Sequence, residues 1–595
     1  MAKRIFIKNG GTDYKIVIPS LPGKRDKFIA EEFRDLIKAA SGAELSLVSD
    51  KEYDGAPDGK IISFGYTEQL KASGLTVSEK LGFSGFAIKT YGDAVYVFGR
   101  DGKSFGTMYG GYELLARTID FEEYGIDCTY YKTVKDIFIP DIDLVDIPDI
   151  EYRKDPIDFA DEKHRNRLRF IAWNEILIHV PGYGEGHNSF GYVDPKIYKE
   201  KHPEWYIRSG QQLSLTAHGD AESAKELADV AFESLVKFVT DNPDKDYITF
   251  AMQDADTMDR EEMDFAIEKY GSLSGLWVEF LNGLAARLRK HFVDNGIDRR
   301  VKLIFYAYIK LQSPPVKKDE NGKYYPTVKA DKDVIPFFCP IFMHQGVGID
   351  HERNARDKIR LDNWKLVADE VWVWFYNACY HDFIFPRYGF DAIAPSIRYV
   401  KKLGLPFYFC EGQTGNHNSW NFGELQTWLE AKLSWKANAD TESLIADWFG
   451  HYFLEAAEPM KKIYEMMRDN FRTCTEKYDL RMLCDIAEYK VFRCNSREYI
   501  RDAISLTDKA YAVVEKYKEE APELYKKLYK RITMIRISFL YLDVWLYKHD
   551  YEDCELFAKE KEIYKLCKEV KATHWTENLD PKGNLENLWT WWGVI

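Results

Sequence analysis

The period of the hydrophobic positions changes twice along the chain. Over the first 138 residues, short strand-like runs alternate with helical repeats. YKIVIPS (14–20) alternates and is β-branched, and KFIAEEFRDLIKAASG (27–42) carries apolar residues at helical spacing up to Gly42. LSLVS (45–49) and IISFG (61–65) predict short strands, and GFAIKTYGDAVYVFGR (85–100) a hairpin turning at Gly92 and Asp93. SFGTMYGGYELLART (104–118) predicts a helix. Gly110 and Gly111 lie inside it, which points to close helix packing and not to a phosphate loop. The expectation is an N-terminal α/β domain over 1–138.

From 139 to 423 the pattern becomes a strand–helix alternation. IPDIDLVDIPDIEYRKDP (139–156) has little helix potential and reads as a connection. The strand candidates are IEYRK (150–154), the region of EILIHV (175–180), QLSLT (212–216), YITFAMQ (247–253), VKLIFYAY (301–308), VIPFFCPIF (334–342), EVWVWFY (370–376) and LPFYFCEG (405–412). Helical segments such as 220–241 and 272–296 lie between them. Eight continuous apolar strands, most followed by a helix, predict an α/β fold of the (β/α)8 TIM barrel type. Beyond 424 only amphipathic helical periods remain, so 424–595 reads as a helical C-terminal domain. Its last segment, NLENLWTWWGVI, is expected to dock on the body, because three exposed tryptophans would form an apolar patch.

Charge and composition narrow the function. The chain has 96 acidic against 82 basic residues, a net −14, which disfavours nucleic acid and anionic membrane as partners. Aromatic residues make up 15% of 595, more than a core alone calls for, and suit a cleft that takes flat apolar faces. No run approaches the roughly 18 apolar residues of a membrane span. MAKRIFIKNGG lacks a signal-peptide core, so a cytoplasmic location is expected, or a secreted one if a leader precedes this sequence. Nine cysteines without a CxxC pair read as buried free thiols.

In a barrel of this kind the chemistry sits at the C-terminal ends of the strands. Those ends offer Gln253, Asp254 and Asp256; Tyr306 and Tyr308; Trp374, Tyr376, His381 and Asp382; and Glu411, Gln413, His417 and Trp420. The loop after the second strand adds His179, Glu185 and His187, and Trp173 and Trp205 add rings. Carboxylates, amides and aromatic faces together suit a neutral polyhydroxylated ligand. Glycosidic cleavage generally uses two carboxyl groups, and Asp254, Asp256 and Glu411 are the candidates. Asp254 and Asp256 are two apart, close enough to perturb each other. Each carries a bland alternative, a helix or loop cap for the aspartates and a core position for Trp374. HERNA (351–355) begins like a metalloprotease helix but has Ala355 where a second His belongs. His344 and His351 near Asp350 are a weaker metal alternative.

Several segments are similar to a known family. DYKIVIPS, GRDGKSFGTMYGGYELLAR, GHNSFGYVDPKIYKEKHPEWYIRSGQQLSLT, FAMQDAD, FYAYIKLQSPP, VWVWFYN, FYFCEG and LEAKLSWKANADTESLIADWFGHYF resemble bacterial proteins carrying the domain of unknown function 4838. Part of that group is classed as glycoside hydrolase family 163. The resemblance implies a barrel preceded by a small α/β domain, as in α-glucuronidases and β-hexosaminidases, and followed by helices. It implies an endo-β-N-acetylglucosaminidase-like retaining hydrolase in which the substrate acetamide is the nucleophile. Asp254 or Asp256 would then orient the acetamide, and the other of the pair or Glu411 would be the acid/base. DADTMDREEMD departs from the Cys-rich segment of many relatives. No cofactor or metal is implied, and the expected ligand is an oligosaccharide or glycan. The alternatives are hydrolysis of another glycoside, such as a uronoside or galactoside, and a barrel that binds glycans without cleaving them. For a uronate, Arg387, Arg398 and Lys310 are the candidate cations. Linkage and oligomeric state are not set by the sequence.

Overall fold

The computed structural model describes residues 3–156, 161–178, 186–380, 382–412, 420–478, 495–572, 574–576 and 585–592. The N-terminal part is a six-stranded mixed sheet in the order Asp143–Asp146, Phe86–Tyr91, Ala94–Phe98, Ile61–Phe64, Lys15–Ile18, Ser46–Ser49. The helices Lys24–Ser41 and Gly106–Ile119 pack together against it. The segment read as a connection thus supplies an edge strand, Asp143–Asp146, antiparallel to Phe86–Tyr91. Gly111 explains how closely the second helix approaches. A Cβ there would stand 2.2 Å from Ile29 Cγ1, so any side chain would push the two helices apart.

The next unit is one seven-stranded, all-parallel sheet. Its order is Tyr152–Arg153, Phe407–Glu411, Trp372–Tyr376, Val334–Cys339, Lys302–Tyr308, Tyr247–Thr249, Leu177–Ile178. The first strand by sequence lies beside the last, as barrel closure requires. The sheet also curls far enough for Tyr152 to approach Tyr247 near its opposite edge, with ring centroids 6.1 Å apart. Between the first and second strands no ladder pairing occurs among the described residues. A single backbone bond, Ile171 N–H to Arg153 C=O at 2.9 Å, bridges toward the gap.

The expected eight strands are therefore seven in the described chain. QLSLT (212–216) is not a strand; it contributes only one isolated bridge, Tyr206 to Leu213. Its alternating pattern serves to bury Leu213 and Leu215 while Gln212 turns its amide to a neighbouring loop. The helices expected at 220–241 and 272–296 are Ala221–Asp241 and Ser274–Asp294.

Side chains of the long strands divide between two cores by parity, because successive Cβ atoms face opposite sides. Ile304, Tyr306, Ile335, Phe337, Cys339, Trp372, Phe407 and Phe409 point inward, into a core shared with the N-terminal sheet. Leu303, Phe305, Phe338, Val373, Phe375 and Tyr408 point outward, into a core shared with the surrounding and C-terminal helices. The lumen is a stack of rings: Trp372 lies on Phe407 at 4.2 Å and 5°, a pairing worth about 0.5–1.5 kcal/mol beyond its buried area.

The C-terminal region is helical among the described residues, from Gly423–Trp435 through Pro522–Tyr547 to Leu585–Trp592. The tail does dock. Trp589 is 1% exposed and joins a cluster with Phe383, Ile384 and Trp420 from the barrel rim. Phe383 N–H also bonds Trp575 C=O at 2.7 Å. Among the described residues two cysteines depart from the expectation of buried free thiols: Cys474 is disulfide-bonded, and Cys554 is exposed. No helix among the described residues is long and apolar enough to cross a membrane.

Candidate active site

All seven strands run the same way, so their C-terminal ends share one rim. Parity then selects what that rim presents inward. Counting by twos from Phe407 and Phe409 brings Glu411 to the lumen, and from Trp372 it brings Trp374 and Tyr376. The same count on Lys302–Tyr308 brings Tyr306 and Tyr308.

These residues meet. Trp374 Nε1 donates to Glu411 Oε2 at 3.0 Å across adjacent strands. The Trp374 ring lies 5.6 Å from Tyr306, 6.0 Å from Tyr376 and 5.0 Å from Phe409. His187 closes the other side, with its ring 5.2 Å from Tyr306 and 5.7 Å from Tyr308. Its Nδ1 faces Met252 C=O at 2.8 Å, which ties His187 to the segment that follows the Tyr247–Thr249 strand. Gly186 is required there. Its φ is +86°, and a Cβ would fall 1.8 Å from the Tyr306 hydroxyl. Trp374, Tyr308, His187 and Glu411 are all partly exposed, so the ring-walled cleft opens to solvent.

The deep groups are held neutral. Burial, with the charges of Cys339, Tyr380, Glu411 and Tyr308 adding to it, pushes the Tyr376 phenol well above its usual range. Burial does the same to the Cys339 thiol, and the Glu411 charge adds to it. Cys339 is therefore no thiolate nucleophile. Carboxylates and ammonium groups supply the ionic chemistry of the cleft.

The aspartates sit on the rim. Gln212, fully buried, accepts from Gln253 N–H at 2.9 Å and donates to the carbonyls of Gln253 at 2.7 Å and Ala255 at 3.0 Å. This double clasp holds the segment that carries Asp254. The Asp254 side chain is exposed and has no hydrogen bond or ion pair among the described residues. Asp256 is exposed as well and faces Lys310, with Nζ–Oδ1 at 3.3 Å. The expected mutual perturbation of Asp254 and Asp256 finds no direct hydrogen bond to support it.

Other expected residues fall elsewhere. Gln253 turns its side-chain amide to Ser189 at 3.0 Å and serves the loop more than the cleft. Trp205 is sealed in the core at 2% exposure, bonded to Ser223 Oγ at 2.9 Å and stacked on His202, so it is not a ligand platform. Trp420 is also 2% exposed and packs under the C-terminal helices. Asp382 is buried beneath Tyr541, whose hydroxyl donates to Oδ2 at 2.7 Å. Trp173 begins a short helix, and nothing is described of its side chain. Gln413, His417, His381, His179 and Glu185 lie outside the described residues. His344 and His351 each turn Nδ1 to a backbone N–H, of Gly346 and of Arg353, both at 3.2 Å. Arg398 bonds Ala437 C=O at 3.0 Å on the helical side, and Arg387 is buried against Asn377 and Gln345.

Two residues at the cleft escaped the sequence reading. Lys154, inward by parity from Tyr152, forms a buried pair with Asp155 at 3.0 Å and stands 5.2 Å from the Phe409 ring centroid. A lysine ending the strand candidate IEYRK, in phase with Tyr152, was the available signal. Gln212 was the other, hidden because its segment resembled a strand.

Residues 123–465 match the sequence model of the family described as "Domain of unknown function (DUF4838)". No curated protein matches the sequence. Among solved structures, a GH138 enzyme targeting pectin rhamnogalacturonan II is 13% identical with a TM-score of 0.43, covering 94% of this chain and 73% of its own. A GH20 β-N-acetylhexosaminidase from Streptomyces coelicolor A3(2) is 10% identical with a TM-score of 0.39, covering 76% and 92%. A family 89 glycoside hydrolase from Clostridium perfringens, solved in complex with PUGNAc, is 11% identical with a TM-score of 0.38, covering 94% and 72%.

Proposed function

The chain belongs to the DUF4838 family, and we propose that it is a retaining glycoside hydrolase acting on a β-linked N-acetylhexosamine. The observation that supports this reading is Glu411, held by the Trp374 indole at 3.0 Å within a cleft of aromatic rings. Rings suit the C–H faces of a sugar, and a partly exposed carboxyl group among them suits an acid for a glycosidic oxygen.

In this reading Glu411 is the acid/base. It gives its proton to the leaving oxygen as the C1–O bond breaks. The substrate acetamide oxygen bonds to C1 at the same time, and Asp254 accepts the acetamide N–H and orients it. Water then attacks C1 as the acetamide O–C1 bond breaks, and Glu411 takes a proton from that water. Asp256, engaged with Lys310, shapes the rim. Lys154 stands 5.2 Å from the Phe409 ring centroid and Lys310 pairs with Asp256 at the rim, so a uronoside is the second reading.

The test is hydrolysis of a panel of chromogenic β-N-acetylhexosaminides, uronosides and galactosides, together with released N-glycans. The expected result is turnover of the acetamido sugars, lowered about 10²–10⁴-fold in Glu411→Gln, the range of a lost general acid. Full activity in both Glu411→Gln and Asp254→Asn would falsify the assignment. An oxazoline-mimicking inhibitor that leaves a confirmed hexosaminidase untouched removes the acetamide mechanism. Sugar binding without turnover would make this a glycan-binding barrel.

A further inference from the structure

A pocket lies outside the parallel sheet and uses none of its strands. The hairpin formed by Glu122–Gly125 and Cys128–Tyr130 packs there against the helices Gly423–Trp435, Thr441–Phe453 and Pro522–Tyr547. Together these elements bound a cavity of about 210 Å³. Much of its wall is apolar and flat, including Phe422, Trp448, Tyr452 and Met534. Trp448 stacks on Tyr452 at 4.2 Å.

Two polar atoms in this wall are buried without a hydrogen-bond partner: Glu424 Oε2 and Arg531 Nε. Glu424 is 6% exposed and Arg531 7%. An orphan of this kind is unfavourable to bury, more so where a charge is involved. The rest of the Arg531 guanidinium is engaged. It donates Nη1 to Tyr452 C=O and Nη2 to Asp127 Oδ1 at 2.6 Å, and lies 4.0 Å over the Tyr452 ring. One donor and one acceptor therefore remain unused in the wall of one cavity. Gly125 helps keep it open, since a Cβ there would stand 2.8 Å from Tyr452 and 3.3 Å from Glu424 Oε2.

Asp127 Oδ1 already pairs with Arg531 Nη2 at 2.6 Å, so a ligand with net charge gains little from that guanidinium. The volume equals that of about seven waters at ~30 Å³ each. We propose that this cavity binds a small uncharged molecule with a flat apolar body and an adjacent donor and acceptor, as in an aromatic carboxamide. The amide N–H meets Glu424 Oε2, and the amide carbonyl accepts from Arg531 Nε–H.

The experiment is titration of benzamide into the full chain, followed by calorimetry and tryptophan fluorescence. The expected result is saturable binding of one benzamide per chain at millimolar concentration or below. Glu424→Leu should weaken it at least about tenfold, and Ile535→Trp, which fills the cavity, should abolish it. Toluene, of similar shape without the amide, should bind at least about tenfold more weakly to the unaltered chain. Circular dichroism and Tm establish that each variant is folded. If Glu424→Leu does not fold, the toluene comparison and Ile535→Trp decide the matter. Absence of saturable benzamide binding would leave the cavity to solvent and overturn the proposal. Binding that Ile535→Trp leaves intact, or equal affinity for toluene, would overturn it as well.

Discussion

The Trp374 indole reaches across one strand-to-strand spacing to hold Glu411 Oε2 at 3.0 Å. Tyr376 pairs with Glu411 in the ladder of the same two strands. The carboxyl group is thus fixed by a side chain whose own ring is wedged between Tyr306 and Phe409. Trp374→Phe keeps most of the packing and removes the donor. Turnover of the glycoside substrate is expected to fall about 10–100-fold, the cost of losing one hydrogen bond to a charged group, roughly 1.5–3 kcal/mol. A pH–rate profile that shifts along with kcat identifies a positioning role; a change in Tm alone does not.

Gly186→Ala forces a side chain against the Tyr306 hydroxyl at a left-handed backbone position. The expected cost is about 1–3 kcal/mol of stability. Activity should fall further than stability does, because Tyr306 and His187 form one wall of the cleft. Thermal unfolding beside steady-state kinetics separates the two effects.

Lys310→Met breaks the exposed pair with Asp256. Stability should change by less than about 1 kcal/mol. KM is expected to rise while kcat stays within about threefold, as when binding is lost equally from ground and transition states. An unchanged KM would show that this rim pair does not meet substrate.

Burial pushes the Glu430 carboxyl up to about 8 and that of Glu424 up to about 7, against an ordinary 4.5. Below the ordinary value both states are protonated, and no difference arises. As pH rises between the ordinary and the folded values, the unfolded chain has lost its proton and the folded chain keeps it. Stability therefore falls with rising pH, by up to about 1.4 kcal/mol per pH unit for each group. Denaturant titrations from roughly pH 5 to 8 should show this decline. Glu430→Gln should flatten its share of the decline while keeping a polar partner for Gln426, which donates to Glu430 at 3.0 Å.

Tyr541→Phe removes the hydroxyl bonded to buried Asp382 at 2.7 Å. The carboxyl also accepts from Ile384 and Phe385 N–H, both at 3.0 Å, so it anchors the loop beneath the docked tail. A loss of about 1–3 kcal/mol is expected from the unsatisfied oxygen. Limited proteolysis should then release the C-terminal tail before the barrel is cut.

Local pattern was enough to place five of the six strands of the N-terminal sheet, the longer parallel strands and the helical end of the chain; the edge strand Asp143–Asp146 was hidden in a segment that reads as a connection. Hydrophobic period is a property of neighbouring residues, and the side-chain direction follows from it. That is why Tyr306, Tyr308, Trp374, Tyr376 and Glu411 could be named as strand-end residues. The same logic misread QLSLT, where an alternating run packs against a loop and pairs with no strand. It also offered Trp205 and Trp420 as rings for a ligand, although both are sealed inside.

Which strand ends become neighbours, and which side chains stay wet, only the tertiary structure decided. The Trp374–Glu411 bond joins residues 37 apart, the Gln212 clasp joins residues 41 apart, and the Glu424–Arg531 cavity brings together two helices of the C-terminal region that other helices separate in sequence. Contacts of that range depend on the register and curl of a sheet assembled from distant segments. No local periodicity encodes them, because burial is settled by what packs from elsewhere in the chain.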